Sequence, residues 1–372
     1  MLKSNQKLAL FCEATMGQPN TKMAEGILRY GPNECVAVID SKAAGKSLKD
    51  FWKLDTNLPI VGTLDEAINL GADVLVLGTA PSGGRLPDEW KTVISHALES
   101  GLCVVNGLHD KLQPVFSDKL SVNQWIWDLR TPVGDLPRIG GARAADLNNT
   151  RVLMIGTDMA IGKMTAGLEI YKYLKDNNHN VNFLASGQTG VAIMGAGIPL
   201  DAYSVDHAGG AVERMVLESA KNDIVIVEGQ GSLLHPGSTA TLPLIRGTCP
   251  THMVLCHRAK MTHLDTIRKN SESLIKVPPI KDVIELNEAV ASAAGALFKC
   301  KVVGICLNTR ELDEESALTE IKKLEQEIAF LGVGTKLIAM GRIATVTTPD
   351  ELRAMLREDG LRWSPWFVGI TF

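Results

Sequence analysis

Short apolar runs alternate with amphipathic stretches along most of the chain. In the first part, apolar runs at Leu8–Cys12, Val36–Asp40, Ala72–Gly78 and Cys103–Asn106 predict buried strands. The stretch Asp88–Ser100 has the period of a helix. Strands that alternate with helices are typical of a parallel sheet covered by helices on both faces. The first part of the chain is therefore predicted to be a doubly wound α/β domain.

The same alternation resumes after Thr131–Leu147, a segment rich in proline and glycine that lacks periodicity and predicts a domain boundary. The strands predicted beyond it are Arg151–Ile155, Val181–Ala185, Asp223–Glu228, His252–Cys256 and Lys301–Asn308. The helices predicted there are Lys163–Asp176, Ala211–Ala220 and Leu318–Leu331. The sequence thus predicts two tandem three-layer α/β domains, at residues 1–145 and 146–372.

The strand at Arg151–Ile155 runs into the most specific motif of the chain, a loop that ends in Gly162-Lys163. A strand, a glycine-containing turn, a lysine and a helix in this order are typical of a phosphate-binding loop. Such a loop aims backbone N–H groups inward, and the helix N-terminus and the lysine add positive charge. The alternative is an ordinary turn between strand and helix, capped by Asp158.

This loop departs from the common phosphate-loop pattern in two ways. Five residues separate Gly156 from Gly162, and Met164 stands where Ser or Thr is usual, so that Thr165 is the nearest hydroxyl. The residues predicted to bind a cofactor here are Gly156, Thr157, Asp158, Gly162, Lys163, Met164 and Thr165. The loop resembles that of dethiobiotin synthetase and its relatives, which have the same extra residue.

A carboxylate is predicted beside the loop, because Glu228 ends a strand and the carboxyl ends of parallel strands share one edge of a sheet. Carboxylate and hydroxyl oxygens suit Mg²⁺. Thr165 and Glu228 are therefore expected to hold magnesium only if a magnesium nucleotide binds. The alternative for Glu228 is a helix cap or a solvated loop acid.

Polar residues at other predicted loops are candidates for substrate binding. An amide, a hydroxyl and exposed backbone follow the strand at Val181–Ala185, and two arginines lie in glycine-rich segments. Such groups can bind carboxylates, amides or phosphates, whereas the alternative is a simple turn. The residues predicted to bind substrate are Arg85, Arg143, Gln188, Thr189, Gly190 and Glu228.

Three side chains are candidates for a general base: Asp206, which begins a predicted helix, and His235 and His257, which follow strands. Lys163 is also predicted to act in catalysis. The alternatives are a helix cap for Asp206 and a structural role for each histidine. The histidine spacing is not that of a zinc site.

Composition and charge narrow the functional classes. The chain has 372 residues, with 38 basic and 42 acidic side chains, so its net charge of -4 argues against a nucleic-acid partner. No uncharged apolar run of about 18 residues predicts a membrane span. No signal peptide is recognised, and an odd number of cysteines without a CxxC pair fits a reducing cytoplasm.

Taken together, the motifs resemble one family as a whole: Gly156–Thr165, Ser186–Gly190, Asp206 with Glu213, and Glu228–Ser232. They are similar to those of bacterial D-glutamate N-acetyltransferases of D-amino-acid catabolism. The resemblance implies a Rossmann-like N-terminal domain and a P-loop-like C-terminal domain. It also implies that acetyl-CoA is the cosubstrate and that D-glutamate or a related amino acid is the small-molecule substrate. We also expect the protein to be a homo-oligomer.

The resemblance implies a division of labour among the candidate residues. The loop would hold the phosphates of acetyl-CoA, Asn308 would meet adenine, and Arg310 would reach a phosphate. Two other classes stay open. One is an ATP- and magnesium-dependent kinase or ligase like dethiobiotin synthetase, against which Met164 counts, and the other is a non-catalytic nucleotide-binding module.

Overall fold

The computed structural model describes residues 2–266, 274–297, 299–330 and 336–340. These residues form two compact units. The first unit runs from the N-terminus to Gly134 and also includes Gly187–Ala202, and the second contains Asp135–Ser186 and the described residues from Tyr203 onwards. The predicted domain ranges, 1–145 and 146–372, stay a prediction.

Each unit contains one six-stranded sheet. The strands of the first sheet are β1 (Leu8–Phe11), β2 (Cys35–Ile39), β3 (Ile60–Val61), β4 (Val74–Leu77), β5 (Cys103–Asn106) and β6 (Ile126–Asp128). The strands of the second are β7 (Thr150–Gly156), β8 (Val181–Leu184), β9 (Ile224–Val227), β10 (His252–Arg258), β11 (Lys301–Asn308) and β12 (Lys336–Met340).

The helices lie between the strands in the chain, as the alternating pattern predicts. They are α1 (Lys22–Tyr30), α2 (Lys49–Trp52), α3 (Leu64–Asn69), α4 (Asp88–Glu99), α5 (Gln113–Phe116), α6 (Lys163–Asp176), α7 (Gln188–Met194), α8 (Val205–Glu218), α9 (Thr241–Thr248), α10 (Ile280–Ala291) and α11 (Glu314–Phe330). None of the helices in the described part of the chain is long and apolar enough to cross a membrane.

The first sheet has the strand order β3-β2-β1-β4-β5-β6, with every neighbouring pair parallel. This is the Rossmann order. The first three strands extend the sheet from β1 to one side, and the strands from β4 onwards extend it to the other side. All four residues of β4 are buried, as expected for a strand covered on both faces. An edge-to-face contact between Phe11 and Trp90, with ring centroids 5.0 Å apart, packs β1 against α4.

The second sheet has the strand order β12-β11-β10-β7-β9-β8, again all parallel. Because neighbouring strands lie about 4.8 Å apart, the residues at the strand ends form a row along the carboxyl edge. This row runs from Asn308 of β11 through His257 of β10 and Gly156 of β7 to Glu228 after β9 and Ser186 after β8. The predicted fold class, two parallel α/β domains, is confirmed.

The sequence predicts a turn or ligand-binding loop after β8, whereas the structure has a helix there. Gln188–Met194 is the helix α7, which ends at Gly195 in the left-handed conformation that favours glycine (φ 70°). It packs against α1 and belongs to the first unit, although it follows a strand of the second sheet. Periodicity over seven residues is too short to predict such a helix.

Candidate functional site

The predicted phosphate loop forms at the end of β7 and leads directly into α6. Gly162 has a φ of 110°, which strains any residue with a Cβ. The Lys163 side chain is only 6% exposed, and its Nζ donates to the backbone oxygen of Asp158 at 2.6 Å. A buried ammonium needs such partners, because burial without them is costly. The lysine is thus held inside the curve of the loop, where a phosphate group could join the carbonyl as a partner.

Two glycines make room for this lysine. A Cβ on Gly156 would lie 3.1 Å from Lys163 Nζ, and a Cβ on Gly229 would lie 3.0 Å from Lys163 Cδ. The Gly229 Cβ would also come within 1.7 Å of the Met154 carbonyl oxygen, far inside van der Waals contact. The loop after β9 therefore approaches the backbone of β7 as closely as it does only because Gly229 lacks a side chain. Met164 and Thr165 are partly buried in the first turn of α6.

Thr157, the first residue after β7, is fully buried and held by β10. Its N–H donates to the Cys256 carbonyl at 3.1 Å, and its hydroxyl lies 3.0 Å from Nδ1 of His257. Burial, and to a smaller extent the charge of Arg258, lowers the pKa of His257 to about 4. The imidazole is therefore neutral at physiological pH, as a hydrogen-bonding partner of a buried hydroxyl.

Asp158, the next loop residue, is also fully buried. Its carboxylate accepts the N–H of Met159 at 2.6 Å and the N–H of Asp265 at 2.7 Å. His235 lies on the same side, with Nε2 3.3 Å from the Asp265 carbonyl and 4.0 Å from the Asp158 carboxylate. Its Nδ1 accepts the Gly237 N–H at 3.0 Å. Three loops, those after β7, β9 and β10, meet at this buried pair.

Glu228 lies at the carboxyl edge, as predicted, but one of its oxygens is already bonded. It is 2% exposed, and its Oε2 accepts the Ser186 N–H at 2.8 Å while Ser186 Oγ donates to the Glu228 carbonyl at 2.8 Å. The carboxylate thus ties the ends of β8 and β9 together. Within the described residues, no group of three or more His, Cys, Asp or Glu is placed to hold a metal ion. A magnesium ion bound through phosphates needs only one or two protein oxygens, which Glu228 and Thr165 can supply by type.

Asn308, at the end of β11, is hydrogen-bonded to the phosphate loop. Its Nδ2 donates to the Ile161 carbonyl at 3.0 Å, and its Oδ1 accepts the Arg310 N–H at 3.1 Å. The amide that was expected to meet adenine therefore has one donor and its acceptor engaged in positioning the loop. An adenine contact would use the second N–H of this amide or the second lone pair of its oxygen.

In the second unit, Asp206 is exposed, whereas Arg143 is bonded to another side chain of the protein. Asp206 is exposed in the first turn of α8. Arg143 lies beside the buried Glu213 of the same helix, which accepts bonds from the Gly141 N–H, the Arg143 N–H and the Arg143 guanidinium. Arg143 thus binds a carboxylate of the protein, and its predicted contact with a substrate carboxylate stays a prediction.

The remaining predicted substrate residues lie in the first unit. Arg85 forms an ion pair with Asp110, and its side chain is 76% exposed. Gln188, Thr189 and Gly190 form the first turn of α7, where Thr189 and Gly190 are buried and Gln188 Cγ lies 3.7 Å from the position of a Cβ on Gly107. None of the four belongs to the unit that carries the phosphate loop.

Two residues of the loops were not predicted from the sequence. The Asp265 N–H donates to the carboxylate of Asp158, which is 107 residues earlier in the sequence. The segment around Asp265 has no periodicity from which its position in the fold could be predicted. Asp40 follows β2, where Rossmann enzymes use a carboxylate for ribose hydroxyls. Here that carboxylate accepts four backbone N–H groups of neighbouring loops, those of Thr15, Met16, Lys42 and Ala43. An acid directly after a strand was the available signal for Asp40.

Known proteins match both units of the chain. A family model described as a P-loop domain of unknown function (DUF1611_C) matches residues 138–340, and a Rossmann-like domain of unknown function (DUF1611_N) matches residues 41–132. The crystal structure of a DUF1611 family protein from Anabaena variabilis has a TM-score of 0.81 and 43% identity. The match covers 88% of this chain and 94% of that protein.

Two curated relatives carry the name D-glutamate N-acetyltransferase. The protein from Tritonibacter scottomollicae is 31% identical over 326 residues, which is 87% of this chain and 92% of the relative. The protein from a Pseudoalteromonas species is 36% identical over 266 residues, which is 70% of this chain and 77% of the relative. These names support an acetyltransferase activity in general terms. With both family models and two curated relatives matching over most of its length, the chain belongs to the DUF1611 family.

Proposed function

We propose that the protein transfers the acetyl group of acetyl-CoA to the amine of D-glutamate or a related D-amino acid. The observation that carries the proposal is a phosphate loop with a buried lysine, Lys163, in a chain that matches D-glutamate N-acetyltransferases over most of its length. CoA carries a pyrophosphate and a 3′-phosphate, and a loop of this kind can hold such anions as readily as a triphosphate.

The strand order suggests how the donor would lie. Asn308 and the phosphate loop are two strands apart on one side of the carboxyl edge, and Glu228 and Ser186 continue the row on the other side. With adenine at β11 and the phosphates at β7, the pantetheine arm would extend over β9 towards β8. The arm separates the thioester from the phosphates, so the acetyl group would lie away from the loop.

The direction in which the pantetheine arm would extend favours Asp206 among the three predicted bases. His235 and His257 both contact residues at the start of the phosphate loop, where the thioester would not lie. Asp206 begins α8, which leads to the amino end of β9, so the first turn of α8 lies at the carboxyl edge. Its exposed carboxylate is free of hydrogen bonds and ion pairs to the other described residues.

The reaction needs a deprotonated amine. Asp206 would take one proton from the ammonium group of D-glutamate, and the amine nitrogen would attack the thioester carbonyl. The new carbon–nitrogen bond forms, the carbon–sulfur bond breaks, and the CoA thiolate leaves and takes up a proton from the attacking nitrogen. The products are N-acetyl-D-glutamate and free CoA thiol.

Thiol release from acetyl-CoA tests this proposal directly. We expect release that depends on D-glutamate and a fall in kcat of about a hundredfold or more for Asp206→Asn, as is usual for loss of a general base. Glu218→Gln, an exposed acid at the other end of α8, is the matched control and should behave like the parent. No thiol release with any of a panel of D-amino acids would sink the proposal.

A second candidate is an ATP- and magnesium-dependent kinase or ligase, because Lys163 at the start of α6 lies beside the loop that begins with Glu228. Phosphoryl transfer needs positive charge around the transferred group, which magnesium and this lysine would supply. Phosphate release from ATP that requires both magnesium and an amino-acid substrate would favour this candidate. ATP binding that is insensitive to magnesium, without phosphate release, would remove it.

A further inference from the structure

The first two residues of the phosphate loop each contact a histidine from a different neighbouring loop. Thr157 meets His257 at the end of β10, and Asp158 meets His235 in the loop after β9. Both loop side chains are completely buried and are bonded within the protein. These bonds act on the position of the loop backbone.

The nitrogens of His235 are both occupied. Nδ1 accepts the Gly237 N–H at 3.0 Å, so this nitrogen carries no proton. Nε2 then carries the proton and points it at the Asp265 carbonyl, 3.3 Å away. The Asp265 N–H in turn donates to the Asp158 carboxylate at 2.7 Å. The imidazole therefore has no lone pair left with which to accept a proton from a substrate.

The imidazole of His257 has a single hydrogen-bonding partner among the described residues, the hydroxyl of Thr157. The two residues are 100 positions apart in the sequence, and the Thr157 N–H also reaches the Cys256 carbonyl. The start of the loop is thus fixed to β10 by one backbone and one side-chain bond. Burial keeps this imidazole neutral and makes it a weak base near neutral pH.

We infer that His257 and His235 are positioning residues that fix the phosphate loop for the donor, His257 by holding Thr157 directly and His235 by holding Asp158 through the backbone of Asp265. The inference rests on the proposed function for the identity of that donor. It assigns both histidines to donor binding, whereas the sequence made them candidates for the general base. The bonds that they form would keep the N–H groups of the loop directed at the donor phosphates before binding, which reduces the ordering cost of association.

Four variants separate positioning from proton transfer. His257→Ala and His235→Ala remove the imidazoles, whereas His257→Asn keeps a hydrogen-bonding amide near the position of Nδ1 and His235→Gln keeps one near the position of Nε2. His96→Ala in α4, whose side chain is 46% exposed in the first unit, is the control. For each protein, calorimetry gives the Kd of CoA, and thiol release gives kcat and the KM for acetyl-CoA.

The positioning role predicts that each alanine variant raises the Kd of CoA and the KM for acetyl-CoA by roughly five- to tenfold, as loss of one net hydrogen bond implies. We expect kcat to change by about twofold at most and His257→Asn to recover most of the affinity. A hundredfold fall in kcat with unchanged CoA affinity, not recovered by the amide variant, would overturn the inference and make the histidine a base.

Hydrogen exchange gives a readout that needs no ligand. Without its histidine, the loop should open more often, so backbone amides of residues 157–163 should exchange about five- to tenfold faster in the alanine variants. Unchanged exchange would overturn the inference whatever the protein binds. A parent protein that binds neither CoA nor acetyl-CoA but shows the faster exchange in its variants would instead count against the proposed function alone.

Discussion

The two sheets of this protein have similar parallel architecture. The carboxyl edge of the first sheet (the first edge) and that of the second sheet (the second edge) differ in chemistry. In the first, the carboxylate of Asp40 accepts four backbone N–H groups, so its bonding capacity is used within the protein. In the second, the ammonium group of Lys163 is buried inside the curve of the phosphate loop, where it donates to the carbonyl of Asp158. The fold alone therefore does not decide the chemistry of a sheet edge; the polar side chains placed near its strand ends do.

The close approach of backbone at the second edge provides the largest expected effect. Gly229→Ala places a methyl group 1.7 Å from the Met154 carbonyl oxygen, so the loop after β9 must move away from β7. We expect a loss of about 3 kcal/mol or more in the free energy of unfolding, measured by urea titration. Gly209→Ala in α8 is the control and should be neutral or stabilising, because the nearest atom that the described residues offer outside this helix is Pro243 O, at 3.9 Å. Equal stability of the two variants would contradict the described approach.

At the first edge the corresponding change should affect stability and leave donor binding intact. Asp40→Asn replaces one acceptor oxygen by a donor that faces backbone N–H groups, and should cost about 2 kcal/mol or more. Asp55→Asn, at a side chain 97% exposed, is the control in the same unit. Urea unfolding and CoA calorimetry on each variant check both halves of the prediction. A rise in the Kd of CoA for Asp40→Asn would mean that the first edge takes part in donor binding.

Lowering the pH should reduce the free energy of unfolding because His257 is held neutral in the folded protein. The folded pKa is about 4 and the ordinary value is 6.5, so the unfolded chain takes up a proton first as the pH falls. The stability is therefore complete above pH 6.5 and is lost progressively towards pH 4. Between pH 7.5 and 5 this histidine should account for about 2 kcal/mol.

The difference between the parent and His257→Asn in urea unfolding at pH 7.5 and pH 5 isolates this contribution from that of the other histidines. We expect the parent to lose about 2 kcal/mol more than the variant over this range. Parallel loss in both proteins would show that His257 is not held neutral.

These predictions follow from contacts that the sequence could not supply. Apolar runs of four to eight residues predicted most of the central strands, and a strand followed by Gly162-Lys163 predicted the phosphate loop, because both signals are local. The bonds that position the loop join Thr157 to His257 and Asp158 to Asp265, at separations of 100 and 107 residues. A single sequence carries no signal for such pairs.

The candidate site shows the same limit. Sequence reasoning found that Asp158, Glu228 and Asn308 follow strands, and they do lie at the carboxyl edge of the second sheet. It could not tell that each would already be bonded to a neighbouring loop, because donors and acceptors are paired only when the chain is folded. It also placed Gln188 at this edge as a loop residue, whereas the residue begins a helix that packs in the first unit.

The smallest expected effect concerns Arg85 at the first edge. Its ion pair with Asp110 is largely exposed, so Arg85→Ala should leave the unfolding midpoint unchanged within error. Kinetics with D-glutamate then decide whether it has another role. An unchanged KM means that the arginine only pairs with Asp110, whereas a raised KM at constant kcat would support the carboxylate contact predicted from the sequence.

The central claim is that the phosphate loop of the second edge holds the phosphates of a CoA donor. Calorimetric titration of CoA into the parent protein and into Lys163→Met tests it most directly, with Lys172→Met, an exposed lysine of the same helix, as the control. The parent and the control should bind CoA, and Lys163→Met should bind it about ten- to a hundredfold more weakly, as loss of a charged hydrogen bond implies. Equal affinity of all three proteins for CoA would contradict the claim.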